Sequence, residues 1–96
     1  GFTAIVDDGG RPLGIFTDGD LRRLIEREQG DLRHLAQLGA GDVMHRGPRL
    51  VRDDALAVDA AGVMEQHRVT SVLVVDAEGC LVGALNSNDL MRAKVI

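Results

Sequence analysis

Two four-residue stretches in this 96-residue chain place groups that can hold an anion at the spacing of a helix start: Thr17-Asp18-Gly19-Asp20 and Asn86-Ser87-Asn88-Asp89. In each, a hydroxyl or amide stands three residues ahead of a carboxylate. One chemistry this allows is capping. The first side chain accepts a backbone N–H of the nascent helix, and the acid at N3 reaches back to the cap. The same geometry also suits phosphate, because free N–H groups and the positive end of the helix attract it and the Thr17 hydroxyl can donate to it. Asn86 lacks that hydroxyl and is the poorer donor. Arg22-Arg23 and Arg46/Arg49 are cations that could help neutralise an anion, or simply form solvated faces.

Other chemistries find less support. His34, His45 and His67 have no cysteine or carboxylate array at zinc-like spacing, so no metal site is expected. Ser71 and Ser87 lack a Gly-x-Ser-x-Gly setting. Asp7-Asp8 and Asp53-Asp54 read as a turn pair and a helix-start pair, not as an acid/base dyad. The glycines match neither the P-loop nor the dinucleotide fingerprint. No catalytic residue is therefore expected in this chain. Net charge is −4, Lys and Arg are scattered, and Phe2 and Phe16 are the only aromatics, which argues against nucleic acid. No apolar run reaches the roughly 18 residues of a membrane span, and no secretory pattern opens the chain. The lone Cys80 cannot form an internal disulfide, reads as a packing residue, and fits a reducing cytoplasm.

The elements that position the two junctions form a repeat. Residues 6–23 (VDDGGRPLGIFTDGDLRR) align without gaps on residues 75–92 (VDAEGCLVGALNSNDLMR) at an offset of 69, with seven identities in eighteen positions. The identities fall at turns and caps as well as at apolar positions. In the first unit, strands are expected at 3–6 and 13–16, joined by a turn at Asp7–Gly10. A helix follows Thr17, with Leu21, Leu24 and Ile25 on one face and a stop near Gly30. The second unit repeats this with strands at 71–75 and 81–85, a turn at Asp76–Gly79, and a helix whose apolar side is Leu90, Ala93 and Val95. It also carries a brief strand at 49–51 and a helix over 55–67, with Asp53-Asp54 at its positive end and Val58, Ala61 and Met64 facing the core. Between the units a polar stretch holds one short helical turn near 31–36. The expected division is a first unit at 1–34, a linker at 35–42 and a second unit at 43–96. Subtracting the offset leaves the first unit without counterparts of the strand and helix at 49–68, so a strand and helix are expected upstream of Gly1.

The chain resembles a tandem CBS pair, or Bateman module. The resemblance rests on the β-α-β-β-α plan, the Asp-x-x-Gly turns, the junctions Gly14-Ile15-Phe16-Thr17-Asp18-Gly19-Asp20 and Gly83-Ala84-Leu85-Asn86-Ser87-Asn88-Asp89, and the lead-in DVMHRGPRLV at 42–51. GIFTDGDLRR (14–23), GDLRHL (30–35) and the ending DLMRAKVI (89–96) further resemble the C-terminal region of bacterial D-arabinose-5-phosphate isomerases. The resemblance implies an α+β fold with two β-α-β-β-α units related by a pseudo-two-fold axis, the first lacking its initial strand and helix. It also implies a regulatory pair attached to an N-terminal sugar-isomerase domain that interconverts D-arabinose 5-phosphate and D-ribulose 5-phosphate for Kdo synthesis.

A small regulatory ligand is what such pairs commonly hold, with the Thr-like residue on phosphate and the Asp on ribose. On that pattern the implied binding residues are Thr17 and Asp20, with Asn86 and Asp89 as their equivalents. The base would rest on Thr70 and Ser71, or on Phe2 and Thr3 in the first unit. No cofactor is required; an adenine nucleotide or a cytidine nucleotide-sugar is the expected ligand. The competing reading is a ligand-free assembly module. Either role is compatible with a homo-oligomer joined through CBS pairs, in the cytoplasm, without nucleic acid or membrane.

Overall fold

Each repeat contains a hairpin closed by its Asp-x-x-Gly turn. Asp7 Oδ1 accepts the N–H groups of Gly9 and Arg11, both at 2.9 Å, and Asp76 Oδ1 accepts those of Glu78 and Cys80, both at 3.0 Å. This Asx-type bonding selects aspartate at the turn. Gly10 and Gly79 follow at φ 82° and 83°, the left-handed region that a side chain disfavours.

The computed structural model describes residues 1–95. In chain order the elements are β1 (Phe2–Val6), β2 (Pro12–Thr17), α1 (Asp18–Glu28), α2 (Leu32–Leu35), α3 (Ala40–Val43), β3 (His45–Arg46), β4 (Leu50–Arg52), α4 (Ala57–His67), β5 (Ser71–Val75), β6 (Leu81–Asn86) and α5 (Ser87–Arg92). The hairpins β1–β2 and β5–β6 share one register at the offset of 69: Phe2 opposes Thr17 as Ser71 opposes Asn86, and both slip before their last pair. The pseudo-symmetric plan is thus present in the backbone.

The third strand of each sheet breaks that symmetry. β4 adds in parallel to β5, giving the order β4-β5-β6. In the first sheet the order is β1-β2-β3, so the added strand lies on the opposite edge of its hairpin. Residues His45 and Arg46, inside the span assigned to the second unit, therefore pair with Gly14 and Ile15 of the first. Neither β3 nor α3 was expected from the sequence. Gly14 makes the pairing possible: a Cβ there would come within 2.5 Å of the His45 carbonyl oxygen and the Met44 sulfur. At the equivalent Gly83 the nearest atom is an ordinary 3.9 Å away.

The two turns dock on each other. Leu81 N–H donates to the Gly10 carbonyl at 2.8 Å, Arg11 Nε to the Glu78 carbonyl at 3.2 Å, and the Cys80 thiol to the Gly9 carbonyl at 3.3 Å. Cys80 is half-buried in this contact, in line with the packing role expected for it.

The core gathers in the second unit, where Ala60, Met64, Val72 and Leu90 form one buried cluster against which Val51, Val63, Val69, Leu85 and Val95 pack. Strand alternation sends Leu73 and Val75 to the other face of β5, and they are buried as well. Three expectations need correction. Val58 is 59% exposed, and Ala60 takes its place. The two lie two residues apart, which is about 200° around a helix of 3.6 residues per turn. The helix starts at Ala57 after an uncapped Leu56, because Ala55 N–H bonds the Arg52 carbonyl in a preceding turn. Asp59, not Asp53-Asp54, is therefore the acid of its first turn. Ala93 is exposed, beyond the last residue of α5, and Val95 folds back through its N–H to the Leu90 carbonyl.

Leu21 and Leu90 occupy the same repeat position, yet Leu21 is 47% exposed and Leu90 only 3%. α4 and β5 cover Leu90; among the described residues, the first unit has no counterpart of β4 and α4. Leu90→Ala should therefore cost about 2–5 kcal/mol, and Leu21→Ala about 0.5 kcal/mol or less. Urea titrations of the two variants check this contrast, and equal losses would contradict the assigned core.

Candidate functional site

Thr17 and Asn86 both sit in extended backbone at a helix N-cap, and both capping boxes are complete. Thr17 Oγ1 accepts Asp20 N–H at 3.2 Å while Asp20 Oδ2 accepts Thr17 N–H at 2.8 Å. The second junction repeats this, Asn86 Oδ1 and Asp89 Oδ2 each accepting at 2.9 Å. Capping satisfies N–H groups that the helix itself leaves free.

The two acids differ in what else they hold. The Asp20 side chain is 5% exposed, and its Oδ1 takes Arg23 Nη2 at 2.8 Å together with His45 Nε2. Burial alone would raise its pKa. The Thr17 backbone N–H, the Arg23 guanidinium, the Thr17 hydroxyl and the charge of His45 outweigh burial, and the carboxyl lies below the usual Asp value. Asp20 is thus ionised, engaged on both oxygens and nearly buried. Asp89 bonds Arg92 alone through Oδ1 and is 33% exposed.

A cleft of about 630 Å³ opens where the first junction meets the second unit, within the size range of small-molecule sites. Thr17 and Gly19 form one wall, and Thr70 and Ser71, at the start of β5, form another. Ile15, Pro48 and Val69 supply apolar surface. Arg23, His45, Arg46, Arg49 and Arg68 line the rest, and no Asp or Glu is in the lining. A second cleft of about 400 Å³ lies between the two junctions and takes in Phe2, Thr17, Thr70, Ser71 and Asn86. The backbone ties the junctions symmetrically: Asp18 N–H donates to the Gly1 carbonyl at 3.1 Å and Ser87 N–H to that of Thr70 at 2.9 Å.

Of the residues singled out in the sequence, Thr17, Thr70 and Ser71 meet in the larger cleft, while Phe2 and Asn86 join them only in the smaller one. Asp20 and Asp89 line neither cleft, and Thr3 is exposed on β1 away from both. The larger cleft crosses the repeat, pairing the first junction with the helix-to-strand segment of the second unit. Arg46 and Arg49 were visible as candidate cations. Arg68 and His45 were not, although Arg68 stands just before Val69-Thr70-Ser71. Among the described residues there is no cluster of metal-ligating side chains, and no helix is long and apolar enough to cross a membrane.

Asp20 holds the cap, Arg23 and His45 together, so Asp20→Asn should destabilise by roughly 1–2 kcal/mol at neutral pH. Asp89→Asn should cost less. Because the folded pKa of Asp20 is depressed, its stabilisation is present above the unfolded value of about 3.9 and is lost as pH falls through the folded value. The melting-temperature gap between the parent chain and Asp20→Asn should therefore narrow on acidification. A gap that widens toward acid pH would refute the ionised assignment.

A family model for the CBS domain matches residues 1–27 and 40–96. The arabinose 5-phosphate isomerase KdsD of Pseudomonas aeruginosa is 43% identical over 96 residues, and that of Salmonella typhi is 47% identical. Each match takes in 100% of this chain and 28% of the relative, so the chain spans little more than a quarter of their length. Among solved structures, CBSX2 in complex with AMP superposes with a TM-score of 0.79 at 30% identity, over 98% of this chain and 70% of that one. A CBS domain protein from Pyrobaculum aerophilum complexed with AMP gives a TM-score of 0.77 at 27% identity, over 94% and 66% of the respective chains.

Proposed function

Because this chain belongs to the CBS domain family, we propose that it is the regulatory CBS pair of an arabinose-5-phosphate isomerase and that its larger cleft binds an adenine nucleotide. The observation that carries the reading is the cleft itself. It sets the Thr17 hydroxyl and the α1 N-terminus opposite Thr70 and Ser71, with Ile15, Pro48 and Val69 as a surface for a base and arginines for phosphate. AMP in the two solved relatives, at 30% and 27% identity, supports the adenine assignment. Identity to the KdsD enzymes along the whole chain supports the parent enzyme. In that parent, isomerisation of D-arabinose 5-phosphate and D-ribulose 5-phosphate belongs to a separate N-terminal sugar-isomerase domain in the cytoplasm, and the pair biases it by binding ligand.

Thr17 is the phosphate donor in this reading and Thr70 and Ser71 contact the nucleoside. The Asp20 carboxylate orients Arg23 and His45 at the rim. A cytidine nucleotide-sugar has no support from the AMP-bound relatives and serves as the comparison ligand. A ligand-free assembly role is favoured by one feature, the apolar side chains that α4 and α5 leave exposed: Leu56 at 67%, Val58 at 59% and Met91 at 51%. Under this second reading they pack against another pair in a homo-oligomer.

Thermal shift separates the readings. A ligand at about 100 times its dissociation constant stabilises the fold by about 2.7 kcal/mol, a rise of roughly 10 °C in a domain this small. AMP should raise the melting temperature, and Thr17→Ala and Thr70→Ala should each diminish the rise. Absence of any shift with millimolar adenine nucleotides would leave the assembly role.

A further inference from the structure

The larger cleft carries more positive charge than one phosphate needs. Arg23 is committed to Asp20. Arg46, Arg49 and Arg68 reach the same cleft from three places, namely β3, the segment before β4 and the C-cap of α4. Among the described residues none of the three has a carboxylate within 4.0 Å, whereas Arg27, Arg52 and Arg92 do. The chain as a whole is acidic, with net charge −4, so this concentration of unpaired guanidinium groups is local. Like charges gathered around one concavity repel each other, and a ligand of opposite charge relieves that repulsion as it binds.

We infer that the cleft selects its ligand by negative charge, holding nucleoside di- and triphosphates more tightly than monophosphates and rejecting neutral or cationic adenosyl compounds. The inference rests on the nucleotide reading and sharpens it. Thr17 and the α1 N-terminus hold the first phosphate, and Arg46, Arg49 and Arg68 hold those beyond it. Each added phosphate meets at least one guanidinium with no internal partner to surrender, and a close pair in a solvated cleft is worth about 1 kcal/mol or more. That corresponds to roughly five- to tenfold in affinity per phosphate. An adenosyl sulfonium would add a positive charge to this group and lose by a similar factor.

Calorimetric titration of the 96-residue chain with adenosine, AMP, ADP, ATP, S-adenosylmethionine and inorganic tripolyphosphate tests this, without magnesium and at two salt concentrations. Affinity should rise from adenosine through AMP and ADP to ATP, and the ATP-to-AMP ratio should shrink at high salt, where exposed charges are screened. Arg46→Gln, Arg49→Gln and Arg68→Gln should each lower that ratio. Arg33→Gln, remote from the cleft, should leave it unchanged. Equal affinity for AMP and ATP, or tightest binding of S-adenosylmethionine, would overturn the charge rule and leave the nucleotide site standing. Binding of tripolyphosphate with no adenine compound bound would keep the anion site and remove the nucleotide reading. Silence from every ligand, in a chain shown to be folded by its cooperative melt, would end both.

Discussion

The carboxylate of Asp20 joins three things that would otherwise be independent. Through Oδ2 it closes the capping box that starts α1, and through Oδ1 it holds Arg23 of the same helix and His45 of the inter-unit strand. Its burial would be unfavourable for an isolated charge, but each oxygen has a donor, and hydrogen bonds to an ionised group are among the stronger ones. The strand that carries His45 can lie there only because Gly14 offers no Cβ. Capping, sheet pairing and charge placement thus converge on one residue. The wall of the cleft formed by residues 45–49 depends on all three.

The docking of the two Asp-x-x-Gly turns does the corresponding work at the other end of the hairpins. Its acceptors are the backbone carbonyls of Gly9, Gly10 and Glu78, while the donors are one backbone N–H and the side chains of Arg11 and Cys80. The turns hold the two hairpins together at that end, and within each hairpin the junction is bonded back to the strand entry at Gly1 or Thr70. Thr17 is thereby brought opposite Thr70 and Ser71. The larger cleft is thus lined by both units at once.

The repeat gives the two junctions equal backbone geometry and unequal surroundings. Leu90 is buried and Leu21 exposed; Asp89 is partly open and Asp20 engaged on both oxygens. These differences arise from neighbours outside the repeated segment: α4 in the second unit and β3 in the first. Repeated local sequence therefore does not confer equal surroundings on the two junctions.

The residues by themselves determined the hairpins, the turns, the two capping boxes and the repeat. Each of those rests on interactions spanning a few positions, such as an aspartate bonding N–H groups two and four residues on, or an acid at N3 reaching its cap. They also exposed the family resemblance and the Thr17, Thr70 and Ser71 candidates. On α4, Ala61 and Met64 of the expected apolar face do pack in the core, but Val58 is exposed and Ala60 is buried beside them. Only packing against β5 and α5 chose between them. Tertiary structure alone decided that His45–Arg46 crosses into the first sheet, that Asp20 is satisfied internally, and that Arg46, Arg49 and Arg68 share one cleft with Thr17. Those outcomes turn on pairings such as Asp20 with His45, Gly14 with Arg46 and Thr17 with Arg68, which lie far apart in the chain. Local preference carries no information about them, because charge and steric fit act through space and not along the chain.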